Sequence, residues 1–210
     1  MKKIVCKLFL FFFLIATAQD KVKTKQQNPF YASFASSNVR FEKDIKPTVS
    51  EINTWETTAW KGEKIHTQIL VWTEKDISNL ELSINNLKKD SDNQIANSNA
   101  KIGFVKYVIT DEFAAGCGYR KPEDFKSSLV ADPIEWTSSM IVKKNELQPI
   151  WLSINIPANL ASGQYEGIVT IKADKKQSLK VIINVLDRTL PTPDKWKFDF
   201  TWQWNGSRRM

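Results

Sequence analysis

Three runs near the C-terminus alternate apolar and polar residues with a period of two, and that period is the period of a strand. In the first, Ile150, Leu152, Ile154 and Ile156 fall on one side, with Trp151, Ser153 and Asn155 on the other. Successive side chains of a strand point to opposite faces, so each apolar row marks one buried face. Pro157 ends this run by removing a ladder donor. Ser162-Gly163 turns the chain, and Tyr165, Gly167, Val169 and Ile171 form the second row. Asp174-Lys175-Lys176 turns it again, and Leu179, Val181, Ile183 and Val185 form the third. Three strands at this spacing predict an all-β fold, an antiparallel sandwich of the immunoglobulin or fibronectin kind, in a single domain.

Upstream the same period recurs. Ile65, Thr67, Ile69 and Val71 alternate with His66, Gln68, Leu70 and Trp72, and Leu80, Leu82 and Ile84 alternate with polar neighbours. The nearly continuous apolar run from Ile102 to Ile109 predicts a strand buried on both faces. No segment sustains a 3.6-residue period, although Pro122 to Leu129 has room for one or two helical turns. Residues 20 to about 50 are polar with scattered aromatics, Phe30, Tyr31 and Phe34, and read as a linker or a loosely docked strand.

The N-terminus reads as an export signal. Lys2 and Lys3 precede an apolar run from Ile4 to Ile15, interrupted only by Lys7, and Ala16-Thr17-Ala18 is a small-x-small cleavage site. The run is too short to anchor the chain stably across a bilayer. Cys6 has no small residue just before it and is not read as a lipid-attachment site. The expected organisation is a signal peptide over 1–18, a polar segment over 19–49, a sandwich over 50–187, and a linker with the start of a further domain over 188–210. The linker is stiffened by Pro191-Thr192-Pro193. The expected location is periplasmic or secreted.

Charge and cysteine usage exclude several functions. The signal segment carries three lysines and no acids, so its loss lowers the formal charge from +7 to +4. The remaining charges alternate in sign without a basic block, which excludes nucleic acid as an expected partner. Cys117 is the one cysteine left outside the signal segment, so neither an internal disulfide nor a thiolate metal site is expected. His66 is the single histidine. No cofactor and no metal are expected.

Candidate functional residues each have a competing structural reading. Asp111-Glu112 is the one adjacent Asp-Glu pair, but strand neighbours face opposite ways, which favours a loop role. Cys117 lies far from His66 in sequence and reads as a small buried apolar residue. Trp60, Trp72 and Trp151 are candidates for stacking on sugar rings, against the reading that they pack in a core or at a domain contact. Gly163 and Gly167 punctuate strands and do not form a phosphate loop, because no helix follows. Trp196, Trp202 and Gln203, in the aromatic tail, are candidates for an interdomain contact.

Several segments together resemble the N-terminal domain of glycoside hydrolase family 123. They are Trp60-Lys61-Gly62-Glu63 with Gln68 and Trp72; Thr110-Asp111 with Cys117-Gly118 and Arg120; and Leu147-Gln148-Pro149-Ile150-Trp151 with Pro157 and Gly163-Gln164-Tyr165-Glu166-Gly167. Asp187-Arg188-Thr189-Leu190-Pro191, Trp196 and Trp202-Gln203 resemble the family's passage into its second domain. The resemblance covers roughly residues 50 to 203 and implies a β-sandwich that precedes a (β/α)₈ barrel. It also implies a retaining β-N-acetylgalactosaminidase as the whole enzyme, in which the substrate's acetamido oxygen attacks the anomeric carbon. An aspartate then orients the acetamide and a glutamate protonates the leaving oxygen, an exception to the two-carboxylate pattern. Both residues lie in the barrel of that family. This sequence ends at Met210, and its last residues, Trp204-Asn205-Gly206-Ser207-Arg208-Arg209-Met210, depart from the family pattern. The expectation is a noncatalytic accessory domain, as a truncated product whose C-terminal barrel is missing, with GalNAc-containing glycans as possible ligands. The alternative is a free-standing secreted carbohydrate-binding sandwich.

Overall fold

A computed structural model describes residues 30–110 and 128–195. Twelve strands follow in chain order: β1 Phe30–Ala35, β2 Thr54–Lys61, β3 Lys64–Thr73, β4 Ile77–Ile84, β5 Leu87–Lys88, β6 Gln94–Ile95, β7 Ala100–Thr110, β8 Ser128–Glu135, β9 Ser139–Val142, β10 Leu147–Asn155, β11 Gly163–Lys172 and β12 Lys176–Thr189. Two 3-10 turns, Asn97–Asn99 and Pro193–Lys195, are the helical pieces among the described residues. One sheet has the order β1-β3-β10-β7-β8. The other has the order β2-β12-β11-β4-β9, with β5 and β6 attached beside β11. Pairing is antiparallel except between β2 and β12, which run parallel.

The period-two rows become the core between the sheets. Ile150, Leu152 and Ile154 of β10 face Tyr165, Val169 and Ile171 of β11 and Leu179, Val181 and Ile183 of β12 in one cluster, and all nine are fully buried. Burying an aliphatic side chain of this size stabilises by about 1.5–3 kcal/mol. Tyr165 enters with its polar end satisfied, donating its hydroxyl to the Ala161 carbonyl at 2.8 Å. Gly167 is required by packing: a Cβ there would lie 2.8 Å from Leu87 Cγ.

A second, smaller core lies on the outer face of the five-stranded sheet. Leu70, Trp72, Leu147 and Ala35 are buried there, with Tyr31 and Phe41 packed against them. The cover is the segment between β1 and β2. It is pinned by Leu147 N–H to the Lys43 carbonyl (2.7 Å) and by Phe34 N–H to the Ile52 carbonyl (2.9 Å). Gln68 Nε2 donates to the Val39 carbonyl at 2.7 Å and also to the Ser36 carbonyl. Thus the polar stretch read as linker or loose strand supplies a full edge strand, with Phe30, Ala32 and Phe34 in the main core.

Two further expectations are corrected. The Ile102–Ile109 run is not buried on both faces along its length, since Val108 is 37% and Ile109 74% exposed. β10 pairs with β7 only from Ala100 to Phe104, so the second half of β7 has β8 as its strand partner on one side only. Helical turns ending at Leu129 are replaced, for the described part, by strand: Leu129 pairs with Ile109. The buried row ends at Val185 as read, while the strand β12 itself runs on with exposed residues to Thr189, opposite Lys61.

The chain crosses between sheets at the β2–β3 turn. Gly62 has φ of +80°, a left-handed conformation that favours glycine. Its N–H donates to the Ile156 carbonyl (2.9 Å), and Leu190 N–H donates to the Lys61 carbonyl (2.8 Å). The chain therefore leaves the sandwich beside this turn.

Candidate functional site

The three candidate tryptophans occupy three separate places. Trp72 ends β3 on the outer face and is 6% exposed beneath the β1–β2 cover. Its indole Nε1 has no hydrogen-bond partner among the described residues. Trp151 sits further along the same face on β10 and is half-buried. His66, one strand over and diagonal in the register, stacks on it with ring centroids 4.8 Å apart and planes 19° apart. Trp60 is 42% exposed on the edge strand β2, close to where the chain leaves.

One aromatic residue was missed by sequence reasoning. Trp136 is 56% exposed just after β8, and its ring lies over Gly103. A Cβ at Gly103 would be 2.8 Å from Trp136 Cε3 and 2.5 Å from Ile134 Cγ2. Gly103 stands directly opposite Trp151. The signal was a glycine inside an apolar strand, which marks a close approach by another group.

A cleft of about 700 Å³ opens at the end of the sandwich remote from the chain exit. The start of β1, the end of β3 and the β11–β12 turn form its walls, with Tyr31, Trp72 and Gln177 among the lining residues. Gln177 donates Nε2 to the Ala32 carbonyl at 2.9 Å, and its Oε1 is buried without a partner among the described residues.

Titratable groups are perturbed singly and do not converge on one point. A hydrogen bond from Lys61 Nζ at 2.6 Å, and its charge, hold the Asp187 carboxyl below the usual range. Lys172 does the same for Glu81, with help from Asn79. Burial raises the Tyr107 and Tyr165 phenols. Among the described residues no group of three or more His, Cys, Asp or Glu is placed to hold a metal ion. No helix among them is long and apolar enough to cross a membrane. Asp111, Glu112, Cys117, Trp196, Trp202 and Gln203 lie outside the described residues.

A two-sheet, mostly antiparallel β-sandwich, with its chain leaving at one end and a polar cleft at the other, defines the class of fold. The profile of the glycoside hydrolase 123 N-terminal domain matches residues 34–173, and the chain belongs to that family of domains. Among solved structures, a family 123 glycoside hydrolase from Clostridium perfringens, described for glycolipid glycan hydrolysis, superposes with a TM-score of 0.69 at 24% identity. The match covers 79% of this chain and 29% of that enzyme, so the chain spans well under half of its length. A PapD-like domain of human CEP192 is a far looser likeness, with a TM-score of 0.36 at 11% identity over 81% of this chain and 96% of that one. No curated protein sequence matches the chain.

Proposed function

We infer that this chain is a noncatalytic N-terminal accessory domain of a β-N-acetylgalactosaminidase-class glycoside hydrolase. The observation that carries the reading is the family match over residues 34–173 to a domain that makes up only 29% of the enzyme sharing its fold. In this reading the hydrolytic carboxylates belong to a C-terminal catalytic barrel, and the sandwich contributes an exterior surface and a fixed exit for the chain. The Lys61–Asp187 bridge and the Leu190–Lys61 hydrogen bond hold that exit in place. Trp60 and Leu190, each about two-fifths exposed beside it, form the side toward the catalytic partner. Export to the periplasm or the medium follows from the N-terminal signal, and mass spectrometry of the exported protein should place its first residue at or near Gln19.

The role is tested by hydrolysis. Purified residues 19–210 should release no product from an aryl β-N-acetylgalactosaminide. Product release that is abolished by Asp111→Asn or Glu112→Gln would make the chain an enzyme in its own right.

A further inference from the structure

We propose that the cleft beside Trp72 and Gln177 is a binding site for a neutral saccharide, remote from the catalytic part of the enzyme. Two buried polar atoms in its walls lack partners among the described residues, one a donor and one an acceptor: Trp72 Nε1 and Gln177 Oε1. Leaving such a group unpaired costs about 1–3 kcal/mol, so a cleft with two of them among its lining residues has a use for them. Hydroxyl and acetamido groups supply both complements, accepting from the indole and donating to the amide.

The charge of the cleft selects the ligand class. Lys46, Lys75 and Lys175 stand against Glu51, Glu74 and Asp174, and Lys46 is already paired to Glu74 at 3.1 Å. With three charges of each sign the walls offer no net field to draw in an anion or a cation. What remains is a neutral ligand rich in hydrogen-bonding groups and bearing an apolar face for an aromatic ring, which describes a saccharide. The cleft's volume, about 700 Å³, lies within the range of small-ligand sites. Tyr31 also lines the cleft and stands opposite Trp72 in the β1–β3 register. Its hydroxyl is held by one 3.5 Å contact to the Val49 carbonyl, too long to fix the ring against an incoming ligand.

The position separates this site from catalysis. β3 runs from the exit-side turn to Trp72, and β12 runs from the cleft back to Thr189. At strand rise, ten residues separate the two ends by about 30 Å. The inference rests on the accessory-domain reading for its choice of sugars, and the two tests fail independently, since hydrolysis is not measured here.

The test uses the ¹⁵N-labelled chain, residues 19–210, titrated with methyl β-N-acetylgalactosaminide and, in a second arm, with vesicles carrying a neutral glycosphingolipid. Binding in either arm that shifts the Trp72 indole N–H supports the proposal, and the arms tell a free sugar from a lipid-borne one. Trp72→Phe and Gln177→Leu should each weaken binding at least five-fold, Trp151→Phe should leave it unchanged, and sialyllactose should not bind. The proposal is overturned if neither ligand moves the Trp72 signal, if the shifts centre on Trp60 or Trp151, or if Gln177→Leu binds as well as the parent chain. The Gln177 variant decides the matter should Trp72→Phe fail to fold.

Discussion

At the scale of single residues the sequence was most legible where one face of a strand is wholly buried. Ile154 lies in an apolar row, and it is fully buried at the centre of the five-stranded sheet. Ile154→Asp places an unpaired carboxylate there, a change that costs several kcal/mol. Circular dichroism should therefore find that variant unfolded at room temperature, and a melting curve close to the parent's would mean the row faces solvent. Trp136 and Gln177 were not legible, because each acquires its surroundings from strands distant in sequence. The Asp187 carboxyl offers a pH test. Its folded pKa is lowered by Lys61, so the bridge adds stability above the unfolded value near ~3.9 and loses it as pH falls through the folded value. Lys61→Met should raise the Asp187 titration midpoint toward ~3.9 in an NMR pH series. An unchanged midpoint would show that the pair is not formed in solution.

At the scale of elements, central strands announced themselves and edge strands did not. β10, β11 and β12 carry long rows because each has a strand on both sides and a facing sheet. β1 has six residues, buried or partly buried on both faces, so its pattern does not alternate cleanly. The cover that buries its second face is a polar segment held in part through its backbone groups, by Leu147 N–H, Phe34 N–H and the Gln68 amide, and bonds to backbone leave little trace in a sequence. Phe34 inserts from β1 into the main core and meets Trp55 with ring centroids 6.2 Å apart. Phe34→Ala should cost about 3–5 kcal/mol. Hydrogen exchange should then show lost protection first in β1 and along the side of β3 it covers. Loss confined to other strands would mean β1 is not a structural member of the sheet.

At the scale of the molecule, both cores are built among the described residues. Fold class and family were readable because they depend on many weak signals in fixed order: the rows, the turn glycines, Pro157 and the Trp-Lys-Gly-Glu turn. The candidate site was readable only in part. Trp72 was singled out, but its place beneath the β1–β2 cover and its neighbour Gln177 depend on how β1, β3 and β12 meet at one end. The sandwich should fold by itself, since its buried rows pack against one another within it. Differential scanning calorimetry of residues 30–195 tests that claim most directly. The account predicts one reversible transition whose calorimetric and van't Hoff enthalpies agree. A chain with no cooperative transition, binding hydrophobic dye in its place, would contradict it.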